Sequence, residues 1–174
     1  GILRVVDGNA GAAPPYAGWA TAAPDIRTAV EYAREGFRIL LATGTHRMSK
    51  PTLTVSKGVT IEGDGVVPED TRISRNDAPS TLIRLNHANA VLHNVTIQDG
   101  LNGAGGYACG SGVAIVANGG MVTNCIIRNN KINTYGGIGA GVYIDGPGIV
   151  THCVITNNNC HENADGLGGA VGVL

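Results

Sequence analysis

The chain has 174 residues, the length of a single domain, and 27 of them are glycine and 15 are asparagine. Its net charge of −1 argues against binding to nucleic acid or to an anionic lipid surface, and its hydrophobic share of 43% is too high for a disordered chain. No apolar run approaches the ~18 residues of a membrane-spanning helix, so no membrane insertion is predicted.

The first clear element after an opening strand is a short helix that begins near Pro24 and Asp25. Proline suits a first helical turn, and an aspartate is favoured at the positive end of the helix dipole. Small and apolar residues then recur at helical spacing: Ile26, Ala29, Val30 and Ala33. Gly36 is a stop signal. We expect about three helical turns, followed at once by a strand over 38–42.

From this strand onward the chain repeats itself. The segments HNVTIQDG (93–100), TNCIIRNN (123–130) and THCVITNN (151–158) align with offsets of 30 and then 28 residues. A second, glycine-led series has nearly the same period and is seen at 112–115, 141–144 and 169–172, with 58–65 as an earlier copy. Turns that bend at the same phase stack and pair their strands in parallel, and no repeat has room for a crossover helix. The sequence therefore predicts an all-β fold, a parallel β-helix.

Several segments resemble right-handed parallel β-helix proteins of the pectate-lyase-like superfamily. They are VVDGN (5–9), GWATA (18–22), the helix, GTHR (44–47) and LTVSKGVTIEG (53–63). The repeats are also loosely similar to those of bacterial polymorphic outer-membrane proteins. The resemblance implies a right-handed solenoid whose N-terminal α-helix covers the open end of the first coil. It also implies an exported bacterial protein, secreted or at the cell surface, with extracellular polysaccharide as its partner.

The same resemblance leaves the activity open, because the superfamily hosts lyases, glycoside hydrolases, adhesins and autotransporter passengers. The Gly-His-Gly, Asp-Asp and Arg-x-Lys signatures of polygalacturonases and the Trp-x-Asp-His signature of pectate lyases do not occur in this sequence. Two functions are therefore kept. One is a module that binds or processes polysaccharide, and the other is a non-enzymatic adhesin or structural solenoid.

We expect one domain over 1–174, with the N-terminal strand and capping helix in 1–36 and about four coils in 37–174. The sequence stops just after another coil has begun. We therefore expect it to be the N-terminal part of a longer solenoid, or else to expose a coil edge that supports end-to-end self-association. No signal peptide is present, which is compatible with a mature exported form.

A candidate catalytic site is predicted where the repeated strands end. Asp64 and Asp99 are expected in line with Asn129 and Asn157. As a carboxylate pair, Asp64 and Asp99 would share a calcium ion or perform acid–base chemistry. The alternative is an amide ladder that satisfies the backbone groups of the corner.

Two basic residues complete the candidate catalytic set. Arg128 and Lys131 are expected to pair with uronate carboxylates near the loop edge, and a lyase mechanism needs such a basic group near a cation. The candidate catalytic residues are therefore Asp99, Asp64, Arg128 and Lys131, with Asp64 and Asp99 as the candidate metal ligands.

Three long loops, at 98–111, 129–140 and 157–168, occupy the same phase of the repeat. Because of that shared phase, we predict that they stack along one edge of the solenoid, where repeat proteins commonly place a binding face. Exposed tyrosines there would offer flat platforms to a polysaccharide laid along the axis. The alternative is that the loops fold back over the coil. The candidate substrate-binding residues are Tyr107, Tyr135, His161, Glu162 and Asp165.

The cysteines fall into two predicted groups. Cys125 and Cys153 occupy the same inward position of successive coils and are expected to be stacked free thiols. Cys109 and Cys160 lie in the loops, where a disulfide and two free thiols are both compatible with export. His152 shares its repeat position with asparagines of the earlier repeats, which predicts a turn residue.

Overall fold

A computed structural model describes residues 1–49, 51–75, 81–103, 109–134, 136–160 and 169–173 of the chain. These residues form α1 (Ile26–Tyr32), one 3₁₀ turn (Pro68–Asp70) and nineteen strands. The strands are β1 (Ile2–Val5), β2 (Arg38–Leu41), β3 (Gly44–Met48), β4 (Leu53–Val55), β5 (Thr60–Gly63), β6 (Thr71–Arg75), β7 (Ile83–Leu85), β8 (Val91–His93), β9 (Thr96–Gln98), β10 (Leu101–Asn102), β11 (Val113–Val116), β12 (Gly120–Thr123), β13 (Ile126–Arg128), β14 (Lys131–Ile132), β15 (Val142–Asp145), β16 (Gly148–Thr151), β17 (Val154–Thr156), β18 (Asn159–Cys160) and β19 (Val171–Val173).

The strands stack into four parallel sheets. Sheet A has the order β1-β2-β5-β8-β12-β16, sheet B has β3-β6-β9-β13-β17, sheet C has β4-β7-β11-β15-β19, and sheet D has β10-β14-β18. Neighbours in each of the five-stranded sheets are one turn of chain apart, so five strands span four turns. The protein is therefore a parallel β-solenoid, which confirms the fold class predicted from the repeats.

The register of the first repeat series is the one that the sequence offsets predict. Ile126 of β13 pairs with Thr96 of β9 and with Val154 of β17, which are 30 and 28 residues away. Sheet A follows the same register, with Thr123 paired to His93 and to Thr151. The aligned positions of the sequence are thus vertical neighbours along the solenoid axis.

The second series needs two corrections. The segment 58–65 is not an earlier copy of it, because β5 pairs with β2 and β8 in sheet A rather than with the strands of sheet C. In the last copy, Val142 pairs with Val171 rather than with Ala170. This one-residue shift places Val171 over Val142 and Val173 over Ile144, so the β-branched side chains stay aligned across the strand pair.

The core is built from columns of inward side chains. Sheet B carries one such column, in which His46, Ile73, Ile97, Ile127 and Ile155 pair in register. Ile73, Ile97 and Ile127 are fully buried. The residues on either side of Ile127 are partly exposed, as the two-residue period of a strand predicts. Beside Ile73 and Ile97, however, Ser74 and Thr96 are also buried. The exception to the apolar column is His46, which is also buried.

Residues in the left-handed backbone region turn the chain at two corners. Asn94, Asn124 and His152 have φ of 51°, 50° and 52°, and they follow β8, β12 and β16. Short Asx side chains tolerate this conformation better than most residues do. The predicted role of His152 as a turn residue is therefore confirmed. The second corner, after β9, β13 and β17, uses Asp99, Asn129 and Asn157 with φ of 62°, 56° and 53°.

The N-terminal end of the solenoid is covered, as predicted. The apolar face of α1 contacts β1 and β2, and its buried residues are Ile26, Ala29 and Val30, with Ala33 just beyond the helix. The Asp25 side chain caps the helix by accepting a 2.7 Å hydrogen bond from the Thr28 N–H. The helix has 7 residues, which is two turns rather than the predicted three.

A lysine that sequence analysis did not single out stabilises the other end of α1. The Lys57 ammonium group donates hydrogen bonds of 3.1, 2.9 and 2.8 Å to the carbonyl oxygens of Val30, Glu31 and Ala33. These carbonyls have no partner within the helix, and a cation there complements the helix dipole. Lys57, which follows β4 in the first coil, therefore caps the C-terminal end of α1.

Among the described residues, no helix combines the length and the hydropathy that a membrane span needs.

Candidate functional site

The residues predicted as catalytic lead to the outer face of sheet B. Its outward positions from successive coils align along the axis, and the register Arg47–Ser74–Gln98–Arg128 forms one row. Arg72 belongs to the neighbouring row on the same face. We call these five residues the sheet B face. Adjacent coils are ~4.8 Å apart, so Ser74 and Arg128 lie about 10 Å apart along the axis.

A chain of hydrogen bonds connects this face to Asp99. The Arg128 guanidinium donates from Nε and Nη2 to the Gln98 Oε1, at 3.1 and 3.0 Å. Gln98 in turn donates from Nε2 to the Asp99 Oδ2 at 2.9 Å, and the Ser74 hydroxyl donates to the same oxygen at 3.0 Å. The Arg75 Nε donates to the Asp99 carbonyl at 3.1 Å. The carboxylate and the Arg128 guanidinium are therefore held in fixed positions by side chains of three coils.

The charge of the sheet B face is predominantly positive. Within the part of the chain that the structure describes, Arg47, Arg72 and Arg128 form no ion pair with a carboxylate. Arg72 uses its Nε to donate a hydrogen bond to the Glu69 carbonyl at 3.1 Å. The Asp99 carboxylate lies beside Arg128 through Gln98, and the Asp7 carboxylate accepts a hydrogen bond from the Arg47 N–H at 3.3 Å. A face with three guanidinium groups outside ion pairs, and with carboxylates at its edges, is suited to a ligand that carries both anionic groups and hydroxyls.

The structure does not bring Asp64 and Asp99 together. Asp64 follows β5 of sheet A, is exposed, and donates its N–H to the Leu41 carbonyl at 2.9 Å. Asp99 follows β9 of sheet B and lies at the other corner. The predicted carboxylate pair is absent for this reason. In the described ranges, no three or more His, Cys, Asp or Glu side chains are grouped as metal ligands would be.

Lys131 and Arg128 are separated by the second corner. Arg128 ends β13 in sheet B, whereas Lys131 begins β14 in sheet D and pairs with Leu101 and Asn159. Its side chain is exposed. The two basic residues therefore belong to different faces, although only three positions separate them.

An amide ladder runs through the second corner. Its more buried members are Asn130 and Asn158, which were not among the predicted residues. Asn157 does donate from its side chain to the Asn129 Oδ1, as the alternative interpretation predicted, and both are exposed. The backbone groups of the corner are instead satisfied by Asn130 and Asn158. Asn130 accepts from the Gly100 N–H at 2.9 Å and donates to the Ile97 carbonyl at 3.2 Å and to the Asn158 Oδ1 at 2.9 Å. Asn158 repeats the pattern on the Ile127 carbonyl at 2.9 Å.

The predicted stacking of the three loops is confirmed at their first residues. β10, β14 and β18 form sheet D, and Cys109 forms a further parallel bridge with Ile138. The five predicted substrate-binding residues, Tyr107, Tyr135, His161, Glu162 and Asp165, lie outside the described residues.

None of the four cysteines forms a disulfide bond. Cys125 and Cys153 are in vertical register, as predicted, and each thiol donates to the carbonyl two residues before it, at 3.2 and 3.1 Å. The hydrogen bond with Cys153, together with burial, raises the pKa of the Cys125 thiol. The same contact lowers the pKa of the half-buried Cys153 to about 7. Cys153 is therefore the thiol of this pair that ionises first.

Sequence reasoning missed Ser74, Gln98, Arg72 and Arg75 as parts of the site. The segment 71–75 has no recognisable similarity to the later repeats, so nothing in the sequence indicated that it is the coil below 96–98. A separate cluster was also missed on the outer face of sheet A. There Glu62 forms an ion pair with Arg38 at 2.8 Å and lies 3.6 Å from His93.

Comparisons with protein-family models, with curated proteins and with solved structures find no match to this chain.

Proposed function

We propose that the protein binds an extended anionic polysaccharide along the sheet B face. The observation that carries this proposal is the set of three arginines, Arg47, Arg72 and Arg128, which lie at outward positions of three coils and form no ion pair among the described residues. Arginine is well suited to carboxylate because its planar guanidinium group presents donors in a fork that matches the two carboxylate oxygens. A linear polymer laid along the axis would place successive anionic groups over successive coils.

The Asp99 carboxylate supports a sugar rather than another polyanion. Asp99 lies beside Gln98 and Ser74, and its Oδ2 accepts hydrogen bonds from both. A carboxylate among the arginines repels phosphate-dense polymers but accepts hydrogen bonds from hydroxyl groups. The net charge of −1 also disfavours nucleic acid. A uronate polymer offers both carboxylates and hydroxyls.

Two finer assignments belong to the same proposal. The resemblance of the first coils and repeats to the pectate-lyase-like superfamily supports membership in it, and with it export from a bacterial cell. The stacked loops beside sheet D would extend the binding surface at the second corner. No catalytic step is proposed, because the one pair of carboxylates considered for it does not meet.

The test is binding of the purified protein to polygalacturonate, with fully methyl-esterified pectin as the uncharged match. We expect binding to polygalacturonate that weakens with added salt, since Arg47 is exposed and Arg72 and Arg128 are partly exposed to solvent. Arg72→Gln and Arg128→Gln should each weaken it roughly three- to tenfold. Lys131→Gln is the matched control, because it removes one positive charge three residues from Arg128 but on another face, and it should bind as the unchanged protein does.

Equal binding of the charged and esterified polymers, or equal losses in all three variants, would contradict the proposal. The same samples, followed by ultraviolet absorbance with and without calcium, test for a lyase through the unsaturated ends that it creates. Silence in both assays would favour the adhesin or structural solenoid.

A further inference from the structure

A second feature that could hold a ligand lies at the N-terminal cap, away from sheet B. A cavity of about 340 Å³ opens between the start of β1, the loop at 15–17 and the segment that joins α1 to β2. Its walls include Ile2, Pro15, Tyr32 and Phe37, and Arg34 is at its rim. The volume falls in the range of small-molecule sites.

The walls of the cavity are held in place before any ligand arrives. The loop is bonded to β1 through the Arg4 N–H and the Tyr16 carbonyl, at 2.8 Å. On the other side, the Arg38 N–H donates to the Gly1 carbonyl at 2.9 Å, and the Phe37 N–H donates to the Arg34 carbonyl at 3.1 Å. A site whose backbone is already ordered loses little conformational entropy on binding.

The aromatic residues of the chain are concentrated at this cap. Aromatic side chains are only 4% of the sequence, yet its one tryptophan, its one phenylalanine and two of its tyrosines lie between positions 16 and 37. Tyr32 and Phe37 are the two of these that line the cavity. Tyr16 packs edge-on against Tyr32 with ring centroids 5.2 Å apart, which fixes the Tyr32 ring. Tyr32 and Ile2 nevertheless remain 44% and 42% exposed. Exposed rings that are held rigidly offer apolar contact area at low entropic cost.

Arg34 supplies a charged side chain to the cavity, which Gly1 also lines. Arg34 is exposed, and in the described residues it forms no ion pair with a carboxylate. A carboxylate beside Arg34 would gain charge-assisted hydrogen bonds, while the rest of the ligand contacts Tyr32, Phe37 and Ile2. Of the charged side chains that the structure describes, Arg34 alone lines the cavity.

We infer that this cavity binds a small carboxylate that carries a flat apolar ring. The carboxylate pairs with Arg34, and the ring lies between Tyr32 and Phe37. This site is independent of the sheet B face, since none of its lining residues belongs to sheet B.

The experiment titrates the protein with benzoate and, separately, with benzamide, its uncharged counterpart, and follows binding by calorimetry and by protein NMR. We expect saturable binding of benzoate, with shifts confined to the residues of the cap, and about tenfold weaker binding of benzamide. Arg34→Gln should weaken benzoate about tenfold and leave benzamide unchanged. Arg27→Gln removes a cation from α1 that does not line the cavity, and it should bind benzoate normally.

Phe37→Leu tests the ring contact separately. It keeps the apolar character of the wall and should weaken both ligands by the same factor. Equal affinity for benzoate and benzamide, an unchanged affinity in Arg34→Gln, or no saturable binding of benzoate would each overturn the inference. NMR spectra of the unliganded variants establish that they are folded.

Discussion

The buried histidine of the first coil is the residue whose chemistry conflicts most with its place in the fold. His46 occupies a core position of sheet B and is 2% exposed. Its Nε2–H donates to the Ala42 carbonyl at 2.8 Å, whereas Nδ1 is buried with no partner. Burial lowers the pKa of His46, although the Ala42 hydrogen bond and the Asp7 carboxylate oppose the shift. The neutral imidazole is therefore the form that the folded protein accepts.

The consequence is a loss of stability in acid. A histidine with a lowered pKa binds protons more weakly in the folded than in the unfolded chain, whose value is 6.5. The stability that the neutral His46 contributes to the folded protein is fully present above pH 6.5. It is lost as the pH falls from 6.5 through the lower pKa of the folded state. We expect the free energy of unfolding, measured in urea at several pH values, to fall below pH 6.5, and His46→Leu to reduce that slope. His152→Asn, an exposed turn histidine changed to the residue of the other repeats, is the control and should keep it.

At the scale of the strand and its corner, the buried Asn130 and the exposed Asn129 stabilise the turn in different ways. Asn130 is fully buried and satisfies backbone groups of the coil below through its amide. Asn129 beside it is exposed and supplies the left-handed turn. Two identical neighbours therefore have different structural tasks.

Asn130→Leu should destabilise the protein much more than Asn129→Gly. The leucine leaves the Gly100 N–H and the Ile97 carbonyl buried without partners, which costs about 2–5 kcal/mol in total. Glycine adopts a φ of 56° without strain, so Asn129→Gly should change the free energy of unfolding by less than about 1 kcal/mol. Denaturant titration of both variants measures the difference, and equal losses would show that the ladder contributes no more than the turn does.

These corners also explain which parts of the fold could be predicted from the sequence. The repeats at 93–100, 123–130 and 151–158 are similar enough to define the register of three coils. A residue with positive φ interrupts the two-residue alternation of a strand. The sequence therefore does not reveal which side chains after the corner point inward and which point outward. This is why Asn129 and Asn157, rather than Asn130 and Asn158, were expected to satisfy the corner.

The predicted site failed for a related reason. Asp64 was aligned with Asp99 because both follow a strand, but the strand before Asp64 belongs to sheet A, and the strand before Asp99 belongs to sheet B. The early coils lack the later repeat pattern, so their sheet could not be identified. Lys57 was missed because its partners on α1 are more than twenty residues away in sequence.

At the scale of the whole molecule, the coils depend on one another through continuous columns of core side chains. Ile127 is fully buried and lies in register between Ile97 and Ile155. In a solenoid each coil contacts only its neighbours, so the loss of one internal coil separates the parts on either side of it.

Ile127→Asp should therefore abolish cooperative unfolding rather than shift it slightly. A carboxylate at this position has no partner and cannot reach water without opening the coil. We expect circular dichroism of this variant to show no cooperative thermal transition under the conditions in which the unchanged protein folds. Thr156→Asp introduces the same charge one coil away at an exposed outward position, and its thermal midpoint should stay within a few degrees of the unchanged protein.

The parallel stacking of the sheets has a mechanical consequence. Every ladder of hydrogen bonds between coils runs along the solenoid axis, so a force that pulls the two ends apart along this axis loads one coil boundary at a time. The coils of the first repeat series are offset by 30 and 28 residues. Each coil that peels off would therefore release about 100 Å of extended chain. Extension of the protein along its axis is therefore expected to proceed in steps of one coil.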